Sequence, residues 1–352
     1  MKKLIAVVLV LVLSLSVVSL AMAEKVGIAM PTQSLQRWNL DGANLKALLE
    51  AEGHEVDLQY ANNEVNTQIS QLENMILGGA KVLVVASIDG SALDTVLATA
   101  KEEGITVIAY DRLLTNTQNV DYYTTFDNYG VGKIQGQYVI DTLDLENAEG
   151  PFTIEFTAGD PGDNNAGLFF SGAFDLLKPY LDSGKLVCVS GQMDFASVAT
   201  PNWNSGTAQA RMDNILSAYY PDALTGGLKL DVCLCSNDST ALGVTNSLVA
   251  AGFTTDNIPI ITGQDCDGPN TKNMIKGLQA MSVWKYLFVL GEQTKNMVLD
   301  ILAGKTPETN TVYPNGIFDV PSFNCVPQFC DVNNYKELLL DSGYYTEADL
   351  AD

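Results

Sequence analysis

The chain has 352 residues, with 42 acidic side chains against 19 basic ones, a net charge of −23 at pH 7. That surface repels polyanions, so nucleic acid is excluded as a partner. The length exceeds what one hydrophobic core usually serves, and two domains are expected.

The chain opens with Lys2 and Lys3, an apolar stretch from Leu4 to Leu20, and Ala21-Met22-Ala23 before Glu24. A basic start, an apolar centre and a small-x-small end read as a secretory signal over residues 1–23. The competing reading is an uncleaved membrane anchor, because the apolar run approaches spanning length. With no cysteine near the cleavage point to carry a lipid, the mature chain is expected to be soluble, exported and free.

From Glu24 onward, short apolar runs alternate with helix-like segments. Strands are expected at Lys25 to Met30, His54 to Tyr60, Lys81 to Ala86 and Ile105 to Tyr110, separated by helices at about Asn39 to Glu52, Asn66 to Leu77 and Ala92 to Glu103. After a short run at Asp121 to Thr125 and a helix at Gly130 to Asp141, a second series begins. Its strands are Phe152 to Thr157, Lys185 to Gly191, Val232 to Ser236, Ile258 to Gly263 and Ala280 to Trp284, with helices between them. A helix at about Leu287 to Ala303 and an irregular tail finish the chain. Regular alternation of this kind predicts right-handed βαβ units, hence an α/β fold of two Rossmann-like lobes with parallel sheets.

In open α/β sheets ligands collect at the carboxyl ends of the strands, and the residues there are unusual. Asp111 and Arg112 follow Ile105 to Tyr110, and Arg37 and Trp38 follow the first strand. Asp163, Asn164 and Asn165 follow Phe152 to Thr157, and Trp203 follows Lys185 to Gly191. Asn237 and Asp238 follow Val232 to Ser236, Asp265 follows Ile258 to Gly263, and Lys285 ends the next strand. Asp127 and Asn128 sit at the first crossover, where a hinge turn accounts for them equally well. A carboxylate accepts hydrogen bonds and a guanidinium donates a rigid fork, so Asp111 and Arg112 together suit a group that does both, such as a sugar hydroxyl. A strand-end ion pair explains that one pair as readily, and Asp265 with Lys285 also admits an interlobe salt bridge.

Other chemistries find little support. Gly159, Gly162 and Gly167 stand at the wrong spacing for a dinucleotide fingerprint, and no carboxyl is marked as a general acid beside a nucleophile. Six cysteines and one histidine, His54, offer no zinc spacing, so neither metal nor cofactor is expected. Cys325 and Cys330 enclose a short loop and make a plausible disulfide. Cys233 and Cys235 alternate along a strand and share a face.

At these residues the chain resembles bacterial periplasmic monosaccharide-binding proteins of ABC transporters, with the type I fold. It is most similar to the xylose-binding and multiple-sugar-binding members. The resemblance is carried by Gly27-Ile-Ala-Met-Pro-Thr with Arg37-Trp38, Gln68-Ile-Ser-Gln-Leu-Glu-Asn-Met, Val84-Val-Ala-Ser-Ile-Asp-Gly, Val107-Ile-Ala-Tyr-Asp-Arg and Thr125-Phe-Asp-Asn. Further along, Asp163-Asn-Asn-Ala, Ala208-Gln-Ala-Arg-Met-Asp-Asn, Gly263-Gln-Asp and Asp341-Ser-Gly-Tyr-Tyr-Thr extend it over nearly the whole mature chain.

The resemblance implies residues 24–128 plus 286–311 as an N-terminal lobe and 129–285 plus 312–352 as a C-terminal lobe, joined by a hinge. It implies that Arg37, Asp111 and Arg112 are sugar ligands from the first lobe, and Asp163, Asn164, Asp238, Asp265 and Lys285 from the second, with Trp38 and Trp203 as stacking faces. The expected activity is capture of an aldose such as xylose, glucose, galactose or arabinose by a monomer that delivers it to an ABC permease. A membrane sensor or chemoreceptor is a further possible partner, and an exported carbohydrate-active enzyme is the competing class. Pro201-Asn202 before Trp203, Ser236-Asn237 before Asp238, and Cys266 after Asp265 depart from the pattern and bear on which sugar is preferred.

Overall fold

A computed structural model describes residues 23–351; the expected signal segment, up to residue 22, lies outside them. Among the described residues, no helix is long and apolar enough to cross a membrane.

The first lobe is built on a seven-stranded sheet ordered β11-β12-β5-β4-β3-β1-β2. Its parallel core comprises β1 (Lys25–Met30), β2 (Glu55–Tyr60), β3 (Val82–Val85), β4 (Thr106–Tyr110) and β5 (Tyr122–Phe126). The two-residue period of these strands divides their side chains between two cores. Ala29, Leu83, Val85, Val107 and Ala109 enter one cluster, while Ile28, Val82, Val84, Ile108 and Tyr110 enter the other. Helices cover both faces, which is why these strands read as unbroken apolar runs.

The second lobe repeats the plan on a four-stranded sheet ordered β7-β6-β8-β9: β6 (Phe152–Thr157), β7 (Leu186–Val187), β8 (Val232–Cys235) and β9 (Ile260–Ile261). Ile154, Phe156, Val232 and Leu234 face one core, and Cys233, Cys235 and Ile261 face the other. The run expected at Lys185 to Gly191 pairs over only two residues, because the chain turns away at Ser190, whose backbone N–H donates to Glu155 at 3.0 Å. Helices Asn128–Thr142 and Asn164–Asp182 pack so closely that a β-carbon at Gly132 or Gly172 would strike the opposing backbone.

The tail is ordered, and it corrects the expected lobe boundary. Strands β11 (Thr311–Pro314) and β12 (Asp319–Cys325) return to the first sheet, β12 lying parallel to β5. Residues 312–325 therefore sit with the N-terminal lobe, not the C-terminal one. Strand β13 (Gln328–Asp331) then pairs antiparallel with β10 (Met281–Trp284) in the second lobe. The chain thus passes between lobes after β5, after β10 and after β12. The expected Cys325–Cys330 bridge is absent: all six cysteines are free thiols. Cys325 packs in the first lobe's core, and Cys330 lies beside Cys266 in a different cluster.

Candidate functional site

Between the facing strand ends lies a narrow cavity lined by side chains of both lobes. Eight of the ten expected site residues meet there: Arg37, Trp38, Asp111, Arg112, Asp163, Trp203, Asp265 and Lys285 line it.

Arg37 stands in the first turn of helix Gln36–Ala51 and is the most connected of them. Its guanidinium reaches Asp41 at 3.0 Å and Asp111 at 3.1 Å within its own lobe, and Asp265 of the other lobe at 3.4 Å. Lys285 lies 3.3 Å from Asp265 and 3.7 Å from Asp111. Arg112 contacts Asp163 across the cleft at 2.9 Å and donates to the Ser87 carbonyl at 3.0 Å. Burial pushes the Asp111 carboxyl up, but Arg37, Lys285 and Arg112 together outweigh it and hold the group below its ordinary value. At Asp163 burial prevails over Arg112, and its carboxyl is raised. Asp267 also lines the cavity and is pushed up to about 7 by burial and by the neighbouring charge of Asp265.

Two expected residues fall elsewhere. Asn164 is exposed, and its neighbour Asn165 enters the cavity, donating from Nδ2 to the Asp111 carbonyl at 2.6 Å. Adjacent helical residues are turned about 100° apart, so only one of the two can face the cleft. Asp238 is fully buried behind the wall. There it accepts from Gln279 (2.9 Å), Ser282 (3.0 Å) and the Asp267 backbone (2.8 Å), while Asn237, Ser239 and Asp267 take the surface. Burial, reinforced by Asp267, raises the Asp238 carboxyl well above its ordinary range.

Sequence reasoning also missed Asp41, which is buried and accepts from the Tyr110 hydroxyl at 2.5 Å as well as from Arg37. Its signal was available as an Arg–Asp pair four residues apart on one helix face.

Backbone strain gathers at the site. Asp111 (φ 59°), Trp203 (φ 54°) and Asp265 (φ 96°) are all left-handed, a conformation that costs a non-glycine residue about 1–3 kcal/mol. Asp111 is held there because its N–H donates to Thr124 at 2.7 Å and its carbonyl accepts from Tyr123, Thr125 and Asn165. Such conformations persist where the surroundings over-determine them, as they do here.

The two tryptophans supply flat walls. Trp38 lies under the guanidinium carbons of Arg37 (4.5 Å) and Arg112 (5.1 Å), and Trp203 is tilted against Phe169 with ring centroids 6.2 Å apart. Both indole N–H groups and the Gln264 amide oxygen have no hydrogen-bond partner within the protein, although they are buried and line the cavity.

Trp203 fits only because residue 159 has no side chain, since a β-carbon there would overlap its ring. Gly159→Ala is expected to displace the indole and cost about 1–3 kcal/mol through overpacking. Near-ultraviolet circular dichroism and thermal melting check this, and a variant with unchanged spectrum and melting temperature would contradict it.

Two α/β lobes whose strand ends face each other across a charged, tryptophan-walled cavity, joined by three crossovers, define a type I bilobal solute-binding protein. The chain belongs to the periplasmic binding protein family: the family model described as periplasmic binding protein domain matches residues 26–306. The multiple sugar-binding periplasmic receptor ChvE of Rhizobium radiobacter is 47% identical over 324 residues, covering 91% of this chain and 90% of that protein. The D-xylose-binding periplasmic protein of Escherichia coli is 35% identical over 326 residues, covering 93% and 92%. Among solved structures, an ABC transporter solute-binding protein from Clostridium phytofermentans with bound β-D-glucose is 55% identical. It superposes with a TM-score of 0.90 over 93% of this chain and all of its own, 100%.

Proposed function

We propose that this chain is an exported receptor that closes its two lobes on a single aldopyranose and delivers it to an ABC permease. The observation that carries this reading is the cavity itself: charged forks and carboxylates from both lobes surround a small space walled by Trp38 and Trp203. A pyranose presents flat patches of C–H bonds and a rim of hydroxyls, which suits indole faces with charged groups around the edge. Each hydrogen bond to an ionised group contributes roughly 1.5–3 kcal/mol, so a sugar lacking one hydroxyl strands a buried charge and is rejected. The relatives bearing sugar-binding names and the glucose-bound structural neighbour support the same ligand class.

The pairing of the carboxylates favours binding over bond cleavage. Asp111, Asp163 and Asp265 are each engaged by a cation, whereas a glycosidase needs a nucleophile and a protonated acid set at defined separation.

Calorimetry of the mature chain with D-glucose, D-xylose, D-galactose, L-arabinose and D-ribose tests the reading. Glucose is expected to bind at micromolar concentration or below, with the radius of gyration shrinking on saturation. Absence of binding by all five at millimolar concentration would overturn it, and release of sugar from an incubated oligosaccharide would replace it with an enzyme.

A further inference from the structure

Directly beside the cavity, on the outside of the lobe interface, lies a second set of contacts that no sugar would touch. Gln36 and Arg37 are consecutive at the start of helix Gln36–Ala51 and diverge. Arg37 turns inward to Asp265, whereas Gln36 turns outward to the segment that follows it. Gln36 Oε1 accepts from the backbone N–H of Gly268 at 3.2 Å, and Gln36 Nε2 donates to the Tyr345 hydroxyl at 3.0 Å. Tyr345 in turn donates to the Cys266 carbonyl at 2.9 Å.

Each contact answers a local need. Gly268 is the first residue of helix Gly268–Lys276, whose N-cap position, Asp267, makes no side-chain cap. Helix starts leave backbone N–H groups without partners, and here a side chain from the opposite lobe takes one. Asp265 and Cys266 are consecutive left-handed residues, at φ 96° and 52°. Their turn is pinned by Asp265 N–H to Val283 (2.8 Å), Cys266 N–H to Ser282 Oγ (3.1 Å), and the Tyr345 and Thr271 hydroxyls on the Cys266 carbonyl. Tyr345 itself packs with Cys266, Met274 and Trp284, so it belongs to the second lobe. Burial raises its hydroxyl pKa, which keeps the proton that Cys266 receives.

We propose that Gln36, Tyr345 and the Cys266 carbonyl form a closure latch that holds the lobes together and fixes the Asp265 turn. They are positioning residues that set how long a bound sugar stays. The inference rests on the sugar-receptor reading and deepens it. The two Gln36 contacts join one lobe to the other and part when the lobes open, whereas the Tyr345–Cys266 bond stays within the second lobe and holds the receiving end in place, so loss of the Gln36 contacts speeds opening.

The test is stopped-flow tryptophan fluorescence with D-glucose on the full mature chain. Gln36→Ala removes two interlobe hydrogen bonds and is expected to raise the dissociation rate about tenfold, with the association rate within about twofold. The melting temperature without sugar is expected to stay within about 2 °C. Tyr345→Phe keeps the ring in its cluster and is expected to raise the dissociation rate severalfold. The double variant is expected to show less than the product of the two effects, because both act through one chain of contacts. Gln36→Asn, one methylene too short, should behave like alanine. A wild-type dissociation rate in Gln36→Ala, a fall in sugar-free stability that parallels its change in affinity, or strictly multiplicative effects would each overturn the latch. If the wild type binds glucose and these variants match it, the latch alone fails; if the wild type binds none of the five sugars, the receptor reading fails and takes the latch with it.

Discussion

Arg112→Ala is expected to weaken D-glucose binding at least a hundredfold while the sugar-free protein melts within about 2 °C of the wild type. The guanidinium is buried, forms its ion pair with Asp163 of the other lobe at 2.9 Å, and lies over the Trp38 ring. Truncating one member of a buried charged pair at an interface costs about 2–5 kcal/mol, much of it from stranding the partner, and each 1.4 kcal/mol is a tenfold change in affinity. Asp163 supplies that stranded charge, since burial already lifts its carboxyl and Arg112 is the main group opposing this. The opposing residue sits on the other lobe, so in the open protein both groups meet water and the cost disappears. The contrast between affinity and stability thus separates a ligand-binding arginine from a structural ion pair. Arg112→Lys retains the charge but not the planar fork and should recover only part of the affinity. A large drop in sugar-free stability, with affinity following it passively, would show that the pair serves the fold.

Most of the fold was legible because its strands are buried on both faces. Runs such as Val82–Val85 and Thr106–Tyr110 carry a local signal that needs no partner to be read. The tail carries none: β12 includes Pro321 and a mixture of polar and apolar residues, and it becomes a strand by slotting between β11 and β5. That pairing spans about two hundred residues of sequence, so local pattern alone places the lobe boundary too early, at 312.

The site was legible to within a residue, and the errors have one physical form. Strand ends identify the right turns, but which residue of a turn faces the cleft depends on the phase of the following helix. Asn164 and Asp238 each open a helix, and in each case a neighbour, Asn165 or Asn237, takes the cavity face. Asp41 escaped because four-residue Arg–Asp pairs are common on exposed helices, and sequence does not show that this one is fully enclosed. The cysteines illustrate the same limit: proximity in sequence joined Cys325 to Cys330, whereas the fold sends them to different lobes.

Asp41→Ala is expected to lower the melting temperature of the sugar-free protein by about 4–7 °C. Asp41 is fully buried in the first lobe and serves two groups of that same lobe, the Arg37 guanidinium at 3.0 Å and the Tyr110 hydroxyl at 2.5 Å. Opening the lobes exposes Arg37 but leaves Tyr110, enclosed in the first lobe's core, without its acceptor. Removing one partner of a buried ion pair costs about 3–5 kcal/mol, which corresponds to a shift of this size in a chain of this length. Asp111 continues to hold Arg37, so the lower end of the range is expected. The pH dependence supplies an independent check. Burial raises the Asp41 carboxyl above its ordinary value despite the opposing charge of Arg37, so the folded protein binds a proton that the unfolded chain has released. Stability from this group is therefore greatest below the ordinary carboxylate value and falls as pH rises through the folded one. Asp41→Asn keeps the shape and an acceptor for Tyr110 but does not titrate, and it should flatten that part of the stability profile. Denaturant melts at closely spaced pH values read the slope directly; a slope identical to that of the wild type, with an unchanged melting temperature in the alanine variant, would remove Asp41 from the framework that holds Arg37 in the cavity.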